Sequence, residues 1–475
     1  MNFFAVMRMI VLKNKCKGAS LMKTVFDQTK LADTNDHPSI KRYNERKAST
    51  APQATGSKLN AVHLREMCLA LGADDVGFVE IDRPALADQK ADILNVFPWT
   101  KALISFVGRI NRENLRSPAR SIASHELHQV EERLNHAAHA LVAALERKGI
   151  RAVAPAAGFP MEMDQWPGKL QISYKPIAVA AGLGKMGLHR LLIHPVFGSF
   201  VQINTVLIDT EVDEYSSPLT YNPCLDCKIC SAACPTGAIG TDGVFNFMNC
   251  ITHTYRELLG GFSDWVENVA DSKNGAEYRS RVSDAETVSL WQSMTYKPCY
   301  KSVYCMAVCP AGDEVIPQYL ADKSKFIETV VKPLQQKTET VYVLPGSDAE
   351  SHVLRRFPHK KIKRVGNGIR PASIAAFIAS MPLGFQRHKS EGLCATYHFT
   401  FTGNESIEAT VVIKDKTIQV NQGHVGVADV QVNADAKTWL RVLHKETSIL
   451  KEIIFRRIRI KGSMKLFKAF GECFA

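Results

Sequence analysis

No stretch of the chain approaches the roughly 18 uninterrupted apolar residues that a membrane-crossing helix needs, so no transmembrane span is expected. No secretory address is expected either. The first twelve residues, MNFFAVMRMIVL, are apolar, but Arg8 interrupts them and neither a small-residue cleavage site nor a twin-arginine pair follows; Met22 is an alternative start. A disulfide framework is equally absent: eight of the twelve cysteines fall in one region, a distribution that suits metal thiolates in a reducing, cytoplasmic compartment. What is present is ordinary for a globular protein: 475 residues, 45% hydrophobic and 22% charged, enough for about three domains with separate cores.

The net charge is +12 and the pI about 9.1. The excess sits in the N-terminal extension up to Lys58 and in the C-terminal run IIFRRIRIKGSMKLFK. Such charge reads as a solvated tail and a solvated face, with an acidic redox partner or an anionic membrane surface as the alternatives to a nucleic acid.

The most informative segment is NPCLDCKICSAACPTGAI. Cys224, Cys227, Cys230 and Cys234, with Pro235 behind the last, follow the C-x2-C-x2-C-x3-C-P spacing of a bacterial-type [4Fe-4S] cluster. A cubane takes one thiolate per iron, and three cysteines a few residues apart can curl around one face of it. Structural zinc is the competing reading, but zinc sites bring two well-separated C-x2-C knuckles. Downstream lie Cys250, Cys299, Cys305 and Cys309, with Pro310 after the last. In two-cluster proteins the proline-linked cysteine of each run ligates the other cluster. Cys224, Cys227, Cys230 and Cys309 are therefore expected to hold one cluster, and Cys234, Cys250, Cys299 and Cys305 the second. The second run is irregular, because a regular repeat would place a cysteine where Ser302 stands. Either Cys299 substitutes, or the second cluster has a non-cysteine ligand or only three irons.

Around this segment the chain divides by pattern. Residues 1–57 are polar and basic without periodicity and read as a flexible extension. Residues 58–215 alternate helices and strands, among them a helix ending at Gly72, the strand KALISFVGRI and a long helix closed by Gly149, which argues for a mixed α/β layer. Residues 216–330 form the cysteine module, with a helical insertion between Cys250 and Cys299, and 331–370 read as a charged connector. In residues 371–475 the periodicity changes again. ATYHFTFTG and ATVVIKDKTIQV alternate with period two, with Asn404 and Asp415 in turns, and ADAKTWLRVLHKETSILKEIIF reads as one helix whose stripe Trp439, Leu440, Leu443, Ile449, Ile453 and Ile454 covers the sheet. This is a separate α+β domain.

Gly182, Gly184 and Gly187 in AAGLGKMGLHR satisfy G-x-G-x-x-G, but only LHRLLIH intervenes before Pro195, too short for the helix of a dinucleotide-binding βαβ unit. The same residues carry a resemblance. KPIAVAAGLGKMGLHRLLIHPVFGSFVQINTVLIDTEV, running into PCLDCKICSAACPTGAI and later NCITHTY and CMAVCP, resembles the epoxyqueuosine reductase family and the related reductive dehalogenases over roughly residues 59–320. The resemblance implies a nitroreductase-like α/β domain holding a corrinoid (cobalamin), then an α+β two-cluster ferredoxin domain that feeds it electrons from a ferredoxin- or flavodoxin-type donor. By that analogy Gly182, Gly184, Gly187 and His194 line or support the corrinoid pocket. The family's catalytic aspartate has no clear match; Asp164 and Glu162, in VAPAAGFPMEMDQWPGK, are the nearest carboxylates. Residues 371–475 are similar to the sterol carrier protein 2 family in TYHFTFTG, IKDKTIQVNQGH and IRIKGSMKLFKAFGECF, which implies an SCP2-like domain with an apolar cavity for a lipid-like ligand and argues against a tRNA-recruiting extension.

Three functions are consistent with these features: a reductase passing electrons through two [4Fe-4S] clusters to a corrinoid, an electron carrier without a substrate site of its own, or a lipid-binding module with a redox accessory.

Overall fold

DVGFVE and ALISFVGR form β1 (Asp75–Glu80) and β2 (Ala102–Arg109) in a computed structural model that describes residues 35–49, 58–163, 170–258, 260–366 and 370–474. They join β3 (Ala152–Val153) and, beyond the short hairpin of β4 (Lys185–Met186) and β5 (Leu192–Ile193), β6 (Val201–Ile208) in a sheet of order β1-β2-β6-β3. All three pairings are antiparallel. β2 is buried on both faces, which is why it reads as a continuous apolar run rather than an alternation. Ile104 and Phe106 face one layer, with Leu64 and Cys68 of α1 (Ala61–Ala70) and Leu134, Leu141 and Leu145 of α2 (Arg120–Arg147). Leu103 and Val107 face the other, with Ile177 and Ala180 of α3 (Tyr174–Ala180) and Leu86 and Ile93. Each of these fully buried aliphatic side chains is worth roughly 1.5–3 kcal/mol. The helix–sheet–helix sandwich fixes the end of α3, from which the AAGLG segment departs.

Two further pieces lie outside this sandwich. Residues 35–49, within the stretch read as flexible, contain the helix Pro38–Ser49, which proline at its first position and the helix-forming KRYNERKA sequence favour. Described residues of the connector 331–370 also form regular elements. β7 (Thr340–Val343) pairs in parallel with β8 (Lys361–Arg364) across the helix Asp348–Arg356, around a core of Val341, Val343, Val353 and Phe357. Of the charged residues that suggested a linker, Arg355, Arg356, Lys361 and Arg364 are exposed, whereas Lys360 is buried and paired with Glu339 at 2.7 Å.

The C-terminal sheet has the order β11-β10-β9-β12-β13: β9 (Ala395–Thr402), β10 (Ile407–Lys414), β11 (Thr417–Gln422), β12 (Val430–Asp435) and β13 (Ile458–Gly462). β9 and β12 are parallel and the other neighbours antiparallel. Tyr397, Phe399 and Phe401 project from alternate positions of β9 into a core with α4 (Ile374–Gly384), α5 (Ala436–Leu443) and α6 (Met464–Glu472). The expected single helix over this stretch is interrupted. Lys445 takes a left-handed conformation (φ 60°), and a second short helix, Ile449–Ile454, follows. Trp439, Leu440, Leu443, Ile449 and Ile453 still pack on the core, whereas Ile454 is 76% exposed. The domain is tied to the rest of the chain by Arg387 to Asp242 at 3.0 Å and by buried Gln386, whose Oε1 accepts from Asp348 N–H at 2.8 Å.

Candidate metal centre

The two cysteine runs share one backbone geometry. In the first, Lys228 is left-handed (φ 62°), the short helix Ile229–Ala233 carries Cys230, and Cys234-Pro235 ends it. In the second, Val303 is left-handed (φ 61°), the helix Tyr304–Ala307 carries Cys305, and Cys309-Pro310 follows. Ser302 thus stands where the first run has Cys227. A β-branched residue in the left-handed region costs about 1–2 kcal/mol, so the surrounding packing imposes the turn at Val303.

Cys224, Cys227, Cys230 and Cys309 line one pocket, whose wall also includes Leu188, His189, Ile193, Pro310 and Ala311. The thiols surround a space and do not converge on a point: among the described residues no three metal-ligating side chains gather closely enough for one metal ion, whereas a cubane takes one thiolate at each iron. Burial, and then the neighbouring Cys309 and Cys227, push the Cys230 thiol up to about 12. Burial also pushes Cys309 up to about 12 and raises Cys227. As free thiols these groups are neutral at neutral pH, and metal binding would displace their protons.

Cys234, Cys250 and Cys305 pack in a neighbouring cluster with Ala238, Ile239, Leu188 and Phe245. Cys230 and Leu188 touch both sites and form the partition. Burial, then Cys234, pushes Cys250 up to about 12, and burial with Cys250 and Cys234 drives Cys305 well above the usual thiol range. Cys299, expected as the fourth member, is not packed in this cluster; its Sγ accepts from Ser124 Oγ at 3.7 Å, on the side facing α2. The residue held near the group is Ser302, which is buried and bonded to Thr254 (Oγ to Oγ1 2.7 Å), itself 3.8 Å from Cys250 Sγ.

The glycines assigned to a cofactor pocket serve the chain itself. A Cβ at Gly182 would strike the Ser217 carbonyl, one at Gly184 the Ile193 carbonyl, and one at Gly187 the side chains of Ile193 and His189. His194 is fully engaged: Nε2 meets Asp75 Oδ2 at 3.1 Å, and Nδ1 accepts from Val196 and Phe197 N–H. These are contacts within the chain. The segment that follows braces the metal-site loop. Gly198 (φ 66°) lies against the backbone of Ala311 and Gly312, Asp313 N–H reaches Pro195 O at 2.9 Å, and buried Ser199 donates to Met306 O at 2.9 Å. The IHPVFGS segment thus locks the Cys309-Pro310 turn in place, a role that its sequence pattern alone does not reveal.

Glu162 is exposed, and Asp164 lies outside the described residues. Two residues missed in the sequence stand out instead. Lys175, the one charged group in ISYKPIAVAA, donates to Arg190 O at 3.1 Å, and Cys250 and Cys305 lie within its electrostatic reach; burial is the first influence lowering its pKa. His189 is 3% exposed in the cavity wall. Burial, then Lys175, pushes its pKa down to about 4.

Residues 386–475 match the model of the SCP-2 sterol transfer family. Over 88 residues the chain is 35% identical to the epoxyqueuosine reductase of Vibrio cholerae, a match covering 18% of this chain and 23% of that protein. The chain thus spans about a quarter of the length of such relatives. Among solved structures it is similar to a catabolic reductive dehalogenase (16% identity, 60% of this chain and 37% of that one, TM-score 0.37). It is also similar to the epoxyqueuosine reductase of Streptococcus thermophilus (15% identity, 57% and 74%, TM-score 0.31). The chain joins a segment similar to epoxyqueuosine reductases to a C-terminal region that matches the SCP-2 sterol transfer family.

Proposed function

We propose that the chain is an iron–sulfur reductase of the cytoplasm, carrying a [4Fe-4S] cluster on Cys224, Cys227, Cys230 and Cys309. The observation that carries this reading is the cavity these four thiols line, three from one run and the fourth from a proline-linked cysteine about eighty residues on. A second cluster is assigned to Cys234, Cys250 and Cys305, with Ser302 at the fourth position. In this reading the cysteine region is the ferredoxin-like part, and the helix–sheet–helix sandwich is the nitroreductase-like part. Bound clusters would supply one-electron transfer, and the two adjacent sites separated by Cys230 and Leu188 give electrons from a ferredoxin- or flavodoxin-type donor a path through the protein. The family resemblance implies a corrinoid as the group they reduce. Gly182, Gly184, Gly187 and His194, whose contacts lie within the chain, are assigned a supporting part beside such a group. The C-terminal region is read as a holder for a lipid-like molecule, which makes a hydrophobic substrate the natural partner of the reductase.

Anaerobic purification with iron, sulfide and visible-spectrum analysis tests this. Iron above four per chain with broad charge-transfer absorption is expected. Sharp additional bands would identify a corrinoid, and protein that folds without iron would overturn the reading.

A further inference from the structure

His189 is a buried imidazole with one nitrogen accounted for and one not. Nδ1 accepts from the Leu191 backbone N–H at 3.1 Å. The proton must therefore sit on Nε2, and Nε2 is buried with no hydrogen-bond partner. The ring forms part of the wall of the cavity that Cys224, Cys227, Cys230 and Cys309 line. It is held there by close contact with Gly187, whose missing side chain leaves room for Cε1. Buried N–H groups in native proteins are almost always satisfied, and the acceptors available to this one are the sulfur atoms that occupy or line the cavity.

We propose that His189 donates a hydrogen bond from Nε2 to the sulfur shell of the cluster in this cavity and thereby raises that cluster's reduction potential. Reduction adds one electron and one negative charge to the cluster. A fixed donor stabilises the reduced form more than the oxidised one, and the proton stays on the imidazole throughout. His189 is thus a tuning residue rather than a ligand. The inference rests on the cavity holding a cluster.

The test uses the full chain with its clusters in place. In an EPR-monitored redox titration, His189→Leu should lower the midpoint of one cluster so that its reduced-to-oxidised ratio at a given poise falls about tenfold, which is about 59 mV for a one-electron couple. His189→Gln, which keeps an N–H donor, should recover much of that shift while a purely packing role would not. Independently of how the variants fold, reduced wild-type protein labelled with ¹⁵N-histidine should show a hyperfine-coupled nitrogen. Unchanged midpoints at full iron content, or no coupled histidine nitrogen in the wild type, would overturn the proposal and leave the cluster reading standing. Wild-type protein without iron in this cavity would overturn both.

Discussion

The two cysteine runs have the same local backbone and different completeness. Each has a left-handed residue, a short helix bearing a cysteine, and a terminal Cys-Pro. The pocket beside the first run brings four thiols together, Cys309 of the second run among them, whereas the neighbouring group holds Cys234, Cys250 and Cys305 with Ser302 close by through Thr254. Backbone form and ligand inventory are therefore separable: the turn persists at Val303 although the thiol that such a turn normally positions is absent.

The sharpest way to break that comparison is to remove one thiol from each group. Cys227→Ala should abolish the first cluster and about half of the bound iron, since a thiolate at its iron has no substitute nearby. Cys299→Ser should leave iron content unchanged. Equal iron loss in the two variants would show that Cys299 is a ligand after all.

The next largest effect concerns the brace behind the first site. Gly198→Val would force a branched side chain into a left-handed position and against the Ala311 carbonyl. A loss of more than about 3 kcal/mol is expected by denaturant titration. If the variant is as stable as the wild type, the IHPVFGS segment does not clamp the Cys309 turn.

Acid should act on the second site through His253, one turn after Cys250. Burial pushes its pKa down to about 4, so it is neutral in the fold. The unfolded chain binds the extra proton below its ordinary pKa of about 6.5. Stability that is present above that pH is lost as pH falls towards 4, by at most about 3 kcal/mol. Melting curves between these limits should show the loss, and His253→Phe should flatten them. An unaltered acid limb in that variant would remove His253 as its cause.

The smallest change tests completeness directly. Ser302→Cys should restore the regular spacing and increase iron retention at the second site on air exposure, with little effect on the fold. Unchanged retention would mean that position 302 does not face the cluster.

Much of the proposed site was legible because its cysteines are local. Cys224, Cys227 and Cys230 lie within one turn-and-helix, and the structure brings Cys309 to the same pocket. The β2 run and the alternation of β9 and β10 likewise announce their burial. What stayed hidden depends on distant contacts: Gly198 meeting Gly312, Ser199 reaching Met306, and His189 sharing a pocket with cysteines thirty-five and more positions away. The glycine motif misled because backbone packing and ligand approach call for the same residue. The break at Lys445 and the β7–β8 unit lay in charged sequence, where the outward faces mask short elements.

The proposed exchange of proline-linked cysteines between the runs would have a consequence for biosynthesis. With Cys309 at the first site and Cys234 together with Cys305 at the second, neither set of thiols would be complete until residue 309 has left the ribosome. Cys224, Cys227 and Cys230 are by then already exposed, as a reactive trio spread over some eighty residues of elongation. On that reading iron supplied before Cys309 emerges would meet only a three-sided cage.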